Sequence, residues 1–561
     1  MISEVDGIPV SLWASQQCKN IVAIDTETEQ ARRGVIPRLF SMQAFDGEAA
    51  FFVPRNRILD FFMAHAETTF VFHNAAFDLE VLSVFYPGIY DLVDREYVLD
   101  TAILYRLIEL AETGETPFQY SLAKLCRLYL RKELDKDVRD SFLMAKDLTE
   151  ETMTPEQQTY AIRDALVTRD IFMKQYPIIK DNGWLSFIYQ LKGSIALKKM
   201  EGLGIGIDKE RRDSLKKEMT LLMDAQKEIL ATYNVIPGVP GFKSNYDKIM
   251  KMHEVNLPIT KTNNLSSSDK DLTPYKKYPF VTAFLRYKEL EKHRSFVYKL
   301  QGDRAYPRYT LLKNTGRTSC SNPNFQQLPR QGGIREVFIP SEGYTFLITD
   351  YSMIELCALS QITHSKFGHS TMREKINAGV DVHRYYASVL LGKKEEDITK
   401  EERQSAKAAN FGFPGGLGVR KFVEYANASY GLTITVKEAE KMKDTWFTSF
   451  PEMVEYMKEV NGYAETLTGR IRSNCSFCQE KNTPFQGLAA DGAKLALYEL
   501  TKVPRLRLVG FVHDEIVTEV LSEEPNILLM IQEEIMIKAM REVIPDVAIT
   551  VESRIEKRYC K

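Results

Sequence analysis

The chain has 561 residues, enough for about three or four domains, and its 44% hydrophobic and 11% aromatic content can fill sizeable cores. Charged residues make up 27%, and 74 Lys+Arg against 76 Asp+Glu leave a net charge of −2, which excludes a disordered polyelectrolyte, a collagen-like chain and a disulfide-rich secreted one. Seven cysteines spread over the length favour reduced thiols in a cytosol-like compartment. No apolar run approaches the roughly 18 residues of a membrane span, and MISEVDGIPV lacks the basic-then-apolar pattern of a secretory signal.

In chain order, short apolar strands are predicted at 20–25, 50–53 and 70–74, with helical patterns at 77–85, 119–130 and 156–175. They make a mixed α/β unit of about 180 residues. Helices follow over 186–232 and stop at Pro237-Gly238-Val239-Pro240-Gly241. The segment 261–275, rich in Ser, Asn, Thr and Lys, reads as a spacer. Strand signals return at 344–349 and around 507–520, and long helical patterns fill 371–391, 399–412, 436–464 and 484–502. Charge is uneven. Residues 1–180 hold 19 basic and 28 acidic groups, and 181–561 hold 55 and 48. The most basic stretch, 241–300, includes Lys243, Lys261, Lys276, Lys277, Arg286, Lys288 and Arg294. It is either a solvated face or a surface for a phosphate backbone.

Two carboxylate constellations stand out. Asp25 and Glu27 end an apolar strand two residues apart, hence on one face. Asn74 and Asp78 are four apart at a strand-to-helix junction, and Tyr160 and Asp164 are four apart on a helical stretch. Four acids brought together would repel unless divalent cations neutralise them, and a two-metal site activates water for attack on a phosphodiester. In the second constellation, Asp350 ends the strand FLITD, and His513, Asp514 and Glu515 sit between two apolar stretches where a hairpin turn fits. Thr399 and Glu402 form a capping-box pattern, Gly412 and Pro414 end the helix, and Arg403, Lys407 and Phe411 fall along one stripe suited to a triphosphate and a stacked base. Cys475 and Cys478 form a lone CxxC with no further zinc ligands nearby, and read as ordinary thiols.

IDTE, HNAAFD and YAIRD resemble the three motifs of the DEDD-type 3′–5′ exonucleases with a Tyr in the third. TGRTSCSNPNFQQLP, FLITDYSMIEL, DVHRYYA, ITKEERQSAKAANFGFPGG, NTPFQGLAADGAK and VHDE resemble segments of family A DNA polymerases. The resemblance implies an α/β multi-domain fold, with an RNase H-like exonuclease domain at 1–180 and a right-hand polymerase domain at 181–561. In the latter the thumb would span about 205–300, the palm about 301–365 and 470–561, and the fingers about 366–469. Asp25, Glu27, Asp78 and Asp164 would hold exonuclease metals, with Tyr160 near the water. Asp350 and Asp514, with Glu515 adjacent, would serve the polymerase metals, two Mg2+ or Mn2+ at each site. His383, Arg403, Lys407, Phe411, Tyr351 and Glu355 would bind the dNTP, Glu355 excluding a 2′-OH. Arg317, Asn482, Gln486 and His513 would contact primer–template DNA.

The implied activity is template-directed synthesis with proofreading, in a cytoplasmic, monomeric, phage-type replicative enzyme without the family's 5′-nuclease domain. Helicase, single-strand-binding or processivity partners are left open. The alternative is a 3′–5′ exonuclease whose C-terminal half only binds DNA; a repair or lesion-bypass polymerase fits less well beside an intact exonuclease. Departures from the family pattern are Met353, Cys357, Phe511, Cys478 and, where relatives carry a Tyr, Gly415. At Gly415 the expectation is a shortened helix, a glycine turn, and Phe411 or Phe413 taking over contact with the base.

Overall fold

The computed structural model describes residues 1–134, 138–143, 145, 147–179, 184–260 and 262–560, with only the backbone for 184 and 185. The expected domain boundary at 180/181 and Lys261 of the basic stretch lie outside the described residues. Two compact units emerge. One comprises Met1–Gly204, Tyr309–Cys320 and Leu347–Arg554; the other comprises Ile205–Arg308, Ser321–Phe346 and Ile555–Lys561.

The first unit holds a seven-stranded mixed sheet in the order Glu4–Val5, Ile8–Leu12, Ala50–Val53, Leu39–Phe45, Ile21–Thr28, Thr69–Phe72, Val98–Asp100. The central strand Ile21–Thr28 runs antiparallel to Leu39–Phe45, with Asp25 opposite Gln43, and parallel to Thr69–Phe72. Leu39–Phe45 gave no strand signal because all seven of its side chains are buried, Ser41 and Gln43 included, so apolar and polar residues do not alternate. Helix Pro155–Ile179 lays Ala161, Ile162, Ala165 and Leu166 into a core with Phe40 and Phe52. The 119–130 pattern is less regular than expected: α-helix covers only Leu122–Leu125, capped by Ser121, and a π turn follows at Cys126–Leu130.

A four-stranded sheet has the order Arg507–Val512, Glu515–Leu521, Tyr344–Tyr351, Val551–Glu556, all but the first three residues of its third strand and the last two of its fourth falling in the first unit. Helix Pro525–Val543 is fixed to it by polar bonds. Gln532 Nε2 donates to Thr349 Oγ1 at 2.9 Å, Thr518 Oγ1 to Gln532 Oε1 at 2.6 Å, and Tyr351 Oη to the Met536 carbonyl at 2.7 Å. Two expected long helices are broken. Residues 371–391 form Thr371–Asn377 and Val382–Leu391, separated at Gly379, whose φ is 74°. The 436–464 run stops at Phe450, extended before Pro451 as a pre-proline residue tends to be. It resumes as Glu452–Lys458 and ends in a short hairpin of Ala464–Glu465 with Ile471–Arg472.

In the second unit, helices Lys209–Ala231 and Pro279–Tyr298 pack around a core of Met223, Leu230, Tyr246, Phe280 and Phe284. A small sheet joins Phe338–Ile339, Ile205–Ile207 and Arg304–Ala305. The expected spacer is partly ordered. Ser268 caps Asp269–Leu272, and the hydroxyls of Ser266 and Ser268 donate to Asp271 at 2.5 and 2.7 Å. The Ser and Asp content there serves caps rather than slack. Lys288 and Arg286 of the basic stretch pair with Asp269 and Glu289 at the surface.

Candidate active sites

At the end of Ile21–Thr28, Asp25 and Glu27 meet Asp164 from helix Pro155–Ile179. One carboxylate oxygen of each lies within 4.8 Å of the others, the one such acidic group among the described residues. Asp78, in the first turn of Ala75–Leu82, is offset from this trio and accepts from Thr26 Oγ1 at 2.6 Å. Burial pushes all four acids up. Asp25 and Glu27 rise well above the carboxylate range, with the charge of Asp164 the next cause, and Asp78 and Asp164 rise to about 7. Burial likewise raises the Tyr160 phenol, which lies beside Asp164 and donates to it. Asn74 is left-handed, φ 70°, and stands just outside the helix, so it does not share a helical face with Asp78. A cleft of about 970 Å³ opens over these groups, lined also by His73, Phe77, Phe118, Lys124, Arg127 and Arg139.

Sequence reasoning missed Asp100. Its buried carboxylate accepts from the backbone N–H groups of Asn74 and Ala75 at 3.2 and 2.7 Å, and from Ala102 and Ile103 at 2.8 and 3.2 Å. One acid therefore caps two helix starts and fixes the turn that carries Asp78. The cue was Asp100-Thr101 before an apolar helix, an N-cap pattern.

On the four-stranded sheet, Asp350 stands near the end of Tyr344–Tyr351. His513, φ 63°, and Asp514 make the two-residue turn between Arg507–Val512 and Glu515–Leu521, with Val512 opposite Glu515. Glu515 is 1% exposed and its carboxylate accepts from Arg554 Nη2 at 2.9 Å. Arg317 pairs with Glu355 in the first turn of Ile354–Phe367, and the charge of Asp514 acts on both Arg317 and Tyr351. The structure thus gathers Arg317, Glu355, Tyr351 and Asp514. Burial raises the Tyr351 phenol, which is spent on the Met536 carbonyl.

Arg317 follows a loop held from behind by a buried network that the sequence did not disclose. Lys494 Nζ, 0% exposed, donates to the Gly316 carbonyl at 2.7 Å and to Gln190 Oε1 at 2.5 Å. Arg470 Nη1 donates to Asp491 at 2.6 Å and to Ser186 Oγ at 3.0 Å. Glycine is required at 316 and 487 because a Cβ would meet the Arg470 guanidinium at 2.3 and 2.4 Å.

Helix Lys400–Gly412 starts with the expected Thr399/Glu402 capping box. Arg403 Nε donates to Asp381 Oδ2 at 2.6 Å, and Asp381 caps Val382–Leu391 through the N–H groups of His383 and Arg384. Lys407 Nζ lies 5.9 Å from the centre of the Phe411 ring, and His383 lies 5.7 Å from the same ring. Burial lowers His383 to about 4, so the ring is neutral at pH 7. Asn410 presents Nδ2 to His383 Nδ1 at 2.8 Å while its Oδ1 accepts from Trp446 Nε1 at 2.8 Å. Nδ1 is then an acceptor and the proton sits on Nε2, which becomes the available donor.

The helix ends at Gly412, and Gly416 turns with φ 75°. Phe413 does not reach a ligand: it is 1% exposed and packs against Phe422 at 4.2 Å and Trp446 at 6.0 Å. The space beside Gly415 is filled by Asn482, whose Nδ2 donates to the carbonyls of Gly415 at 3.2 Å and Cys478 at 2.7 Å. Gln486 lies one turn further along Phe477–Leu500, on the same face. Cys475 and Cys478 are free thiols beside backbone carbonyls.

Comparison with known proteins gives two family matches, "DNA polymerase family A" over residues 243–561 and "3′–5′ exonuclease" over residues 10–179. The chain is 31% identical over 536 residues to DNA polymerase I of Aquifex aeolicus (strain VF5), covering 88% of each protein. It is 30% identical over 395 residues to DNA polymerase I of Geobacillus stearothermophilus, covering 62% of this chain and 43% of that one. Among solved structures it resembles the POL domain of Pol1 from M. smegmatis, in complex with DNA primer-template and dNTP. The TM-score is 0.74 at 20% identity, over 96% and 95% of the two chains. These relatives are bacterial, so the expectation of a phage-type enzyme is not borne out. A polymerase match over the C-terminal half also sets aside the reading of that half as a passive DNA-binding module.

Proposed function

Because the chain belongs to the family A DNA polymerases and carries their 3′–5′ exonuclease domain, we propose that the two carboxylate sites divide synthesis and proofreading between them. The reading rests on one observation above all: Asp25 with Glu27, and Asp350, stand towards the ends of strands that belong to two different sheets. Template-directed DNA synthesis is assigned to the Asp350/Asp514 site and excision to the Asp25/Glu27/Asp164 site. The thumb is placed at about 205–300, the palm at about 301–365 and 470–561, and the fingers at about 366–469.

Polymerase and exonuclease domains of this family are metal-dependent, and the acids present suit hard divalent cations. Three half-buried carboxylates within 4.8 Å, all raised by desolvation, need a cation to ionise together. We assign two Mg2+ or Mn2+ to each site, held by Asp25, Glu27, Asp78 and Asp164 in one and by Asp350 and Asp514 in the other. Bound there, such ions lower the pKa of water or of a primer hydroxyl and neutralise charge on the phosphate.

The protein groups do the rest. Tyr160 directs its hydroxyl beside Asp164, where it orients the attacking water. Arg403 and Lys407 take the triphosphate of a dNTP, Phe411 stacks near its base, and His383 Nε2–H donates to a phosphate oxygen. Glu355 closes the space a ribose 2′-OH needs, and Arg317, Asn482, Gln486 and His513 face primer–template DNA. Glu515 acts by holding the turn through Arg554 rather than as a ligand. The seven free thiols support a cytoplasmic setting, and no helix among the described residues is long and apolar enough to cross a membrane. Primer extension with and without dNTPs tests the assignment: extension with them and shortening from the 3′ end without them is expected, and absence of either removes its site from the reading.

A further inference from the structure

Phe118 is 97% exposed, the most exposed large apolar side chain among the described residues. It stands on the wall of the cleft that contains Asp25, Glu27, Tyr160 and Asp164. The loop beneath it is pinned on both sides. The Gly114 carbonyl accepts from Arg472 Nε at 3.0 Å, Thr116 N and Oγ1 both donate to Asn314 Oδ1 at 2.9 Å, and the Tyr120 ring lies 4.7 Å from the Arg106 guanidinium. Pro117 fixes its own φ just before the ring, and Ser121 caps the next helix just after Tyr120. The phenyl group is therefore held out by a braced backbone and forfeits the gain that burial would bring. Lys124, Arg127 and Arg139 line the same cleft and match a phosphate backbone.

We propose that Phe118 is a stacking platform for a base of the unpaired 3′ end of DNA entering the exonuclease cleft. Every base offers a π face, so the contact tolerates any sequence. Bases within a duplex are already stacked on their neighbours and cannot use it. The ring thereby favours frayed, mispaired ends over paired ones and sets specificity without touching the reacting atoms. This rests on the assignment of the Asp25 cluster as the exonuclease site.

The test compares the full chain with Phe118→Ala and Phe118→Trp on single-stranded oligonucleotides and on duplexes with matched or mismatched 3′ ends. Phe118→Ala should raise KM for single strands about tenfold, the loss of one stacked base, hold kcat within about twofold, and narrow the preference for mismatched ends. Phe118→Trp should keep all three near the starting values. In an Asp25→Ala, Glu27→Ala background, an oligonucleotide with 2-aminopurine near its 3′ end should be quenched on binding when Phe118 is present and much less with Phe118→Ala. Unchanged KM and equal quenching would overturn the proposal. Should the Asp25→Ala, Glu27→Ala pair degrade single strands like the parent chain, the exonuclease assignment falls, and this proposal with it.

Discussion

At the scale of single residues, the Asp25/Glu27 site and the Asp514 site should be separable. Asp25→Ala with Glu27→Ala should abolish 3′–5′ shortening and keep primer extension, while Asp514→Ala should do the reverse; loss of synthesis in the first variant refutes two independent sites. Glu355 pairs with Arg317, so Glu355→Ala should act twice. It should raise rNTP use relative to dNTP and release Arg317, which single-nucleotide incorporation kinetics would register as a changed ratio with slower dNTP addition. Gly415 is coupled to Asn482, because a Cβ at 415 would lie 2.5 Å from Asn482 Nδ2. Gly415→Tyr must evict that amide from the Gly415 and Cys478 carbonyls and should slow extension. Misinsertion measured in an exonuclease-deficient background decides the point: a sharp fall at an undiminished rate would contradict it.

At the scale of elements, helices Val382–Leu391 and Lys400–Gly412 together hold His383 in one protonation state. His383 is held near 4 against an ordinary value of 6.5. Its neutral form thus contributes stability that is whole above 6.5 and is lost as pH falls towards 4. Thermal unfolding at pH 7.5 and 4.5 should show a smaller acid-induced loss for His383→Gln than for the parent chain, by up to about 3 kcal/mol. The strand-and-helix platform behind Arg317 rests on Lys494. Lys494→Met would leave the Gly316 carbonyl and the Gln190 amide oxygen buried and unpaired, at about 1–3 kcal/mol each. A lower melting temperature and weaker primer–template binding are expected, while shortening of single strands persists. Equal loss of both activities would show a merely global defect.

At the scale of the whole molecule, charge is divided unevenly along the chain. The 1–180 part is acidic and the rest basic, so duplex binding should weaken steeply with salt as counterion release is lost. A plot of log affinity against log salt that is nearly flat would argue against a phosphate-tracking surface. Chelation by EDTA should stop extension and shortening together, and Mg2+ or Mn2+ should restore both, since a divalent cation at each site supplies the charge neutralisation that phosphoryl transfer and phosphodiester hydrolysis need.

Local signals were legible in the sequence because contiguous residues carry them. The end of Ile21–Thr28, the two-residue turn at His513 and Asp514, the Thr399 capping box and the stop at Gly412 each follow from alternation, caps or backbone freedom within a few positions. Fully buried Leu39–Phe45 and the broken helices at Gly379 and Phe450 escaped because burial on both faces erases alternation and because one chain break leaves the hydrophobic period almost intact. The sequence by itself thus determined the family motifs, their order and the acids at strand ends. Only the tertiary structure decided that Asp78 bonds to Thr26, that Arg317 pairs with Glu355, that Asn482 fills the space beside Gly415, and that Lys494 holds Gly316 from 178 positions away. The reason is physical: a polar side chain removed from water must find a partner, and which partner it finds depends on how distant elements pack.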